Sequence, residues 1–109
     1  MSESRVSRYA IAADAPYFAG HFPGDPVVPG VVILDYVLET ISRGAGKTCA
    51  LRRLDAVKFQ SPLRPGEELS VELESLGVDT LRFICRSGTR FVATGVVLLR
   101  ANATEPQRS

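Results

Sequence analysis

His21-Phe22-Pro23-Gly24-Asp25-Pro26-Val27-Val28-Pro29-Gly30 runs directly into Val31-Val32-Ile33-Leu34-Asp35-Tyr36-Val37-Leu38. A proline lacks an amide proton and fixes φ, so no helix passes through residues 23–29, and the segment reads as an ordered loop that loses little entropy on being fixed. From Gly30 the pattern changes. A helix is expected from Gly30 to about Arg43, with Gly44 and Gly46 stopping it. Val31, Val32, Ile33, Leu34, Val37, Leu38 and Ile41 leave almost no polar face in its first two turns, and a helix that is apolar all round is a buried one. In a chain of 109 residues, burial of that kind requires a sheet to wrap it.

The flanking sequence supplies the sheet. Residues 5–12 read as a short first strand with Tyr9 and Ile11 on one face. Residues 51–60 read as a strand ended by Ser61-Pro62-Leu63-Arg64-Pro65-Gly66, whose Pro-Gly step signals a turn. Leu69, Val71 and Leu73 alternate with Ser70, Glu72 and Glu74, the pattern of a strand with one wet face. Leu81, Phe83 and Cys85 follow after Gly77, Ser87-Gly88 has the length of a two-residue hairpin connection, and residues 89–100 return as a long strand. Val96, Val97, Leu98 and Leu99 are apolar on both faces, which puts that strand in the sheet centre or at an interface. The layout is α+β: a curved antiparallel sheet wrapped around one long central helix, one domain over residues 1–109 with residues 101–109 a mobile tail.

Composition narrows the function. Hydrophobic residues make up 45% and charged residues 23%, ordinary for a globular protein, and the formal net charge of +1 gives no global field to recruit nucleic acid. No stretch approaches the roughly 18 apolar residues of a membrane span, and residues 1–8 have no signal-peptide core, so a cytoplasmic protein is expected. Cys49 and Cys85 form no C-x-x-C pair and would be reduced there. One histidine and two distant cysteines make a zinc site implausible. Neither a P-loop nor G-x-G-x-x-G occurs, nor a G-x-S-x-G turn, so no cofactor is expected.

Three residues stand out as chemistry. Asp35 places a carboxylate in an apolar helix, a cost of several kcal/mol unless it is paired or protonated; alternatively it lies on a narrow exposed stripe with Glu39, one turn on. His21, the only histidine, sits on a backbone stiff enough to hold a general base within reach of a proton. Gly30 stands at the expected helix start, where unpaired amides and the helix dipole would stabilise negative charge on a carbonyl oxygen. A glycine that merely lets the chain turn fits the same place.

The first motif, with Leu34-Asp35, resembles the active-site segment of the (3R)-hydroxyacyl-acyl-carrier-protein dehydratases, which have the hot-dog fold. Phe59-Gln60-Ser61-Pro62-Leu63-Arg64-Pro65-Gly66-Glu67 is similar to that family's F-x-x-P-[VL]-x-P-G-[DE] turn. The resemblance implies that His21 takes the C2 proton and that Asp35 helps the C3 hydroxyl leave as water. It also implies that the Val27 carbonyl holds the histidine ring and the Gly30 amide meets the thioester carbonyl, with Phe22, Pro29, Val31 and Glu39 beside the substrate. Glu39 departs from the glutamine usual at its position. The family further implies a homodimer, or a larger assembly of such dimers, whose sites take their two catalytic side chains from different subunits. Its substrate arrives on acyl carrier protein, an acidic partner for which Arg43, Lys47, Arg52, Arg53 and Arg64 are candidate contacts. A thioesterase of the same fold and a non-catalytic acyl-binding subunit are the competing readings.

Overall fold

Apolar alternation in the second half of the chain becomes one face of an antiparallel sheet. The structure is a computed structural model that describes residues 4–12, 27–45 and 49–100; the expectations for His21, Phe22, Gly46, Lys47 and the tail at 101–109 lie outside the described residues. Strand β1 (Ser4–Ala10) precedes helix α1 (Gly30–Ala45), followed by β2 (Leu51–Phe59), β3 (Glu68–Gly77), β4 (Thr80–Ser87) and β5 (Arg90–Leu99). The strands form a single sheet in the order β1-β3-β4-β5-β2, every neighbouring pair antiparallel. Leu69, Val71, Leu73, Phe83, Cys85, Ala93 and Val97 are buried on its inner face, where Ile33, Val37 and Ile41 of α1 join them. One helix laid on a five-stranded antiparallel sheet is the hot-dog fold.

Two boundaries move from their expected places. The helix continues through Gly44 to Ala45, because a glycine in a helix costs only about 1 kcal/mol relative to alanine. The β4–β5 connection is Gly88-Thr89 rather than Ser87-Gly88, with Gly88 at φ 64°. A left-handed first central residue matches the twist of a hairpin, and glycine adopts it without strain.

The helix is not buried all round. Ile33, Val37, Thr40 and Ile41 face the sheet, whereas Val31 is 65% exposed and Asp35 and Glu39 are exposed with it. Five strands in one layer cover one face of a helix, and the opposite face of α1 remains open. Thr40, fully buried, donates to the Tyr36 carbonyl at 2.8 Å and shares a 2.6 Å hydrogen bond with the Tyr9 hydroxyl of β1. Its polar group is therefore satisfied inside the core.

A bulge shapes the β2 edge. Asp55 pairs with Val96 and Lys58 with Thr94, so Ala56 and Val57 together oppose Gly95, and Ala56 takes a left-handed φ of 52°. Gly95 is required by what lies over it: a Cβ there would sit 2.7 Å from two ring carbons of the fully buried Phe83 and 3.1 Å from Val57 Cγ2. Burial also explains Cys85, whose thiol is pushed up to about 12 by desolvation. Neither cysteine forms a disulfide.

Residues 60–67 return the chain from β2 to β3 and are tied at both ends. Gln60 N–H donates to the Val92 carbonyl at 2.8 Å, and Gly66 N–H to the Ile11 carbonyl at 3.0 Å. Glu67 accepts the Arg64 amide at 2.8 Å and the Arg90 guanidinium at 2.9 and 3.2 Å. Arg90 beside it, with the Arg64 amide adding to the effect, holds the Glu67 carboxyl below its usual range against a smaller opposing effect of burial.

Gly95→Ala is expected to destabilise the fold by about 1–3 kcal/mol through overpacking against Phe83. In a chain of this size that lowers Tm by at least roughly 4 °C, and an unchanged Tm would mean that the ring repacks without cost. A carboxyl lowered in the folded state contributes stability above its unfolded value, near pH 4.3, and loses it as pH falls through the lower folded value. Glu67→Gln should therefore differ from the parent by only about 0–1 kcal/mol at pH 7, and the difference in Tm should shrink as the pH is taken from neutral down to the acid side of that transition.

Candidate active site

The two motifs of the sequence meet at the start of α1. Val28 N–H donates to the Leu63 carbonyl at 2.7 Å, and both residues are buried. The Pro29 carbonyl then accepts from Val32 at 3.0 Å and Ile33 at 3.3 Å, closing the first helical turn. The geometry of any helix leaves its first amides, here those of Gly30 and Val31, without an intrahelical acceptor. They carry the positive end of the dipole of a 16-residue helix that has no acidic side chain in its first turn.

A cleft of about 430 Å³ opens at this point, lined by Val27, Val28, Gly30, Ile33, Phe59 and the turn residues 60–63. Its walls are mostly apolar, suited to an acyl chain with one polar end. Gly30 earns its place here by close approach: a Cβ would lie 2.8 Å from Cζ of Phe59. Phe59 is itself 52% exposed, an aromatic ring standing at the cleft mouth. The sequence marked Phe59 as part of the turn motif without assigning it to the site. The alternation of β2 is broken by the Ala56-Val57 bulge, so the face on which Phe59 falls was not readable from the pattern.

The expected site residues divide into those that the described structure brings together and those it does not. Val27 and Gly30 line the cleft, and Pro29 lies between them with its carbonyl in the helix cap. Asp35 is exposed and shares an open stripe with Val31 and Glu39, at successive turns of α1. This is the exposed-stripe alternative for Asp35, seen in the single chain. Glu39 is engaged elsewhere, its carboxylate accepting from Arg43 at 2.6 Å. Arg43 also lies over the Tyr9 ring, 5.5 Å from its centre.

Of the other basic candidates, Arg52 is exposed on β2, Arg53 bonds Asp55 at 3.1 Å, and Arg64 is exposed in the turn. Pairs as exposed as Arg43–Glu39 and Arg53–Asp55 hold their cations loosely. Among the described residues, no helix is long and apolar enough to cross a membrane.

Comparison with known proteins follows the same residues. The family model of the ApeI-like dehydratases matches residues 2–96. A 3-hydroxyacyl-[acyl-carrier-protein] dehydratase FabZ of Syntrophobacter fumaroxidans is 35% identical over 83 residues, which cover 69% of this chain and 56% of that protein. The chain spans about half the length of the curated relatives it matches. Among solved structures, a chain of the dehydratase heterocomplex ApeI:P from Xenorhabdus doucetiae superposes with a TM-score of 0.78, over 91% of this chain and 93% of that one, at 24% identity. An uncharacterised protein from Erwinia carotovora gives the same TM-score at 26% identity, over 93% of this chain and 86% of the other. The chain belongs to the ApeI-like dehydratase family.

Proposed function

We propose that the protein dehydrates (3R)-3-hydroxyacyl thioesters carried on acyl carrier protein, giving trans-2-enoyl thioesters and water in fatty acid or related lipid and polyene biosynthesis. What carries the proposal is the mostly apolar cleft at the start of α1, lined by Gly30, in a chain of a dehydratase family. Its FabZ relative is a 3-hydroxyacyl-[acyl-carrier-protein] dehydratase, and the carrier-bound substrate class is carried over from it.

The chemistry follows from the residue types. His21 removes the C2 proton, the C2–H electrons form the new double bond to C3, and the C3–O bond breaks. Asp35 gives its proton to the departing hydroxyl, which leaves as water, and the proton on His21 returns the acid to its starting form. Charge that develops on the thioester oxygen is met by the Gly30 amide. The Val27 carbonyl holds the imidazole ring, and Phe22, Pro29 and Val31 flank the acyl group. Glu39, one turn on from Asp35, lies beside the substrate, its exposed pair with Arg43 loose enough to open.

The open stripe of α1 supports a shared site. Val31 and Asp35 are exposed and Leu34 and Leu38 only half-buried, so a second chain laid on this face would bury apolar surface and complete each site with one residue from each subunit. A second copy of this chain is the partner proposed. The origin of the Xenorhabdus relative in a heterocomplex makes a related hot-dog chain the alternative outcome. A cytoplasmic location, in which Cys49 and Cys85 stay reduced, is part of the same proposal.

The test is turnover of 3-hydroxyacyl and enoyl thioesters of graded length, followed by enoyl absorbance and by free thiol. A reversible absorbance change without thiol release is expected, and His21→Ala or Asp35→Asn should each lower kcat by at least about 100-fold. Release of free thiol would reassign the protein as a thioesterase, and tight acyl binding with no turnover would make it an acyl-binding subunit. Size-exclusion chromatography of the purified chain should give a dimer.

A further inference from the structure

Arg90 opens β5, far in sequence from every residue given a chemical role, yet its guanidinium is spent on a single turn. Nε donates to the Ser61 hydroxyl at 3.1 Å and one terminal nitrogen to the Pro62 carbonyl at 3.0 Å. The two terminal nitrogens fork onto the Glu67 carboxylate at 2.9 and 3.2 Å. The Ser61 hydroxyl donates to the Phe91 carbonyl at 2.6 Å, and Glu67 accepts from the Arg64 amide at 2.8 Å. The middle of the turn, residues 62–64, is thereby gripped from outside by one arginine and the glutamate it binds.

That middle carries the cleft. The carbonyl of Leu63, fully buried, takes the Val28 amide at 2.7 Å, and Val28 stands two residues before Gly30 and seven after His21 (28 − 21). Residues 60–63 also form a wall of the cleft beside Val27 and Gly30. We propose that Arg90 is a positioning residue for the reaction, setting the place of the entry into α1 at residues 27–30 through the turn at residues 61–67. It rests on the dehydratase reading for its kinetic consequence, not for its structural one.

The division of bonds makes the effect local. The ends of the turn are pinned by backbone bonds that do not involve Arg90, Gln60 to Val92 and Gly66 to Ile11. Removing the guanidinium would leave β2 paired with β5, β3 paired with β1 and β4, and the core intact, while loosening residues 62–64. Arg90 is itself 42% exposed at its side chain, so its loss opens no core cavity. A displacement of about 1 Å at a reacting group is enough to cost on the order of 100-fold in rate. A lysine keeps the charge but not the planar fork, so it cannot make the same set of bonds.

The experiment pairs amide hydrogen exchange with kinetics on the full-length chain and its Arg90→Ala and Arg90→Lys variants. Exchange at the Val28 and Arg64 amides should accelerate at least about tenfold in both variants while the Val71 and Val97 amides of the core keep their protection. With an enoyl or 3-hydroxyacyl thioester, kcat should fall by at least about tenfold, with KM changed less than about threefold and Tm nearly unmoved. Unchanged exchange at Val28, loss of protection across the whole core, or faster Val28 exchange with kcat intact would each overturn the assignment. If the parent protein turns over neither thioester, the dehydratase reading fails, and the exchange at Val28 still decides whether Arg90 sets the loop.

Discussion

Val28 N–H and the Leu63 carbonyl, 2.7 Å apart, are the link on which the candidate site depends. Both residues are buried, so leaving either group unpaired would cost about 1–3 kcal/mol, and the bond ties residues 27–29 to the β2–β3 turn. The bond closes a long stretch of chain, 35 positions (63 − 28), and it does so where α1 begins. The helix start, the cleft wall and Phe59 are positioned together as a result. A different register at this one contact would carry Gly30 away from the cleft that it lines.

The requirement runs outward from there. Leu63 can present its carbonyl to Val28 only if the turn around it is rigid. Proline at 62 and 65 limits the backbone, and the Glu67–Arg90 pair fixes what the prolines do not. The left-handed conformation at Gly66, φ 82°, then returns the chain to β3 beside Ile11. Exposed charges contribute little to the stability of the whole, on the order of 0–1 kcal/mol, but here they act on a segment whose ends are already pinned. The consequence is precision of placement more than free energy of folding.

Much of this was legible in the chain. The apolar run from Gly30 and the alternation at Leu69, Val71 and Leu73 give the helix and the strands in their observed order, because each is a local pattern with a local cause. What could not be read depends on pairing between distant residues. The bulge at Ala56-Val57 belongs to the pairing of β2 with β5, where both residues oppose Gly95, and nothing in residues 51–59 announces it. Arg90 resembles any surface arginine until β5 is brought beside the turn. The Gly30-Phe59 contact was hidden for the same reason, and glycine at 30 looked like a turn residue when it also makes room for a ring.

The helix shows where a sequence pattern speaks for more than one chain. Val31, Leu34 and Leu38 read as buried, with Asp35 either among them or on an open stripe, and in a single chain Val31 and Asp35 meet water. Apolar residues on all sides of α1 are not an error of pattern, since a lone sheet layer covers only the Ile33, Val37 and Ile41 face. The remainder of the apolar signal calls for a second surface. On the proposed dimer that surface belongs to another hot-dog chain, and its arrival would strip water from a carboxylate that keeps it in the monomer. The desolvation penalty of Asp35, several kcal/mol if unpaired, is then incurred on assembly and must be offset by the apolar area buried with it at about 25 cal/mol per Å². Val31, Leu34 and Leu38 around the acid supply that area, so the same residues that would make the site hydrophobic also make its formation conditional on a partner.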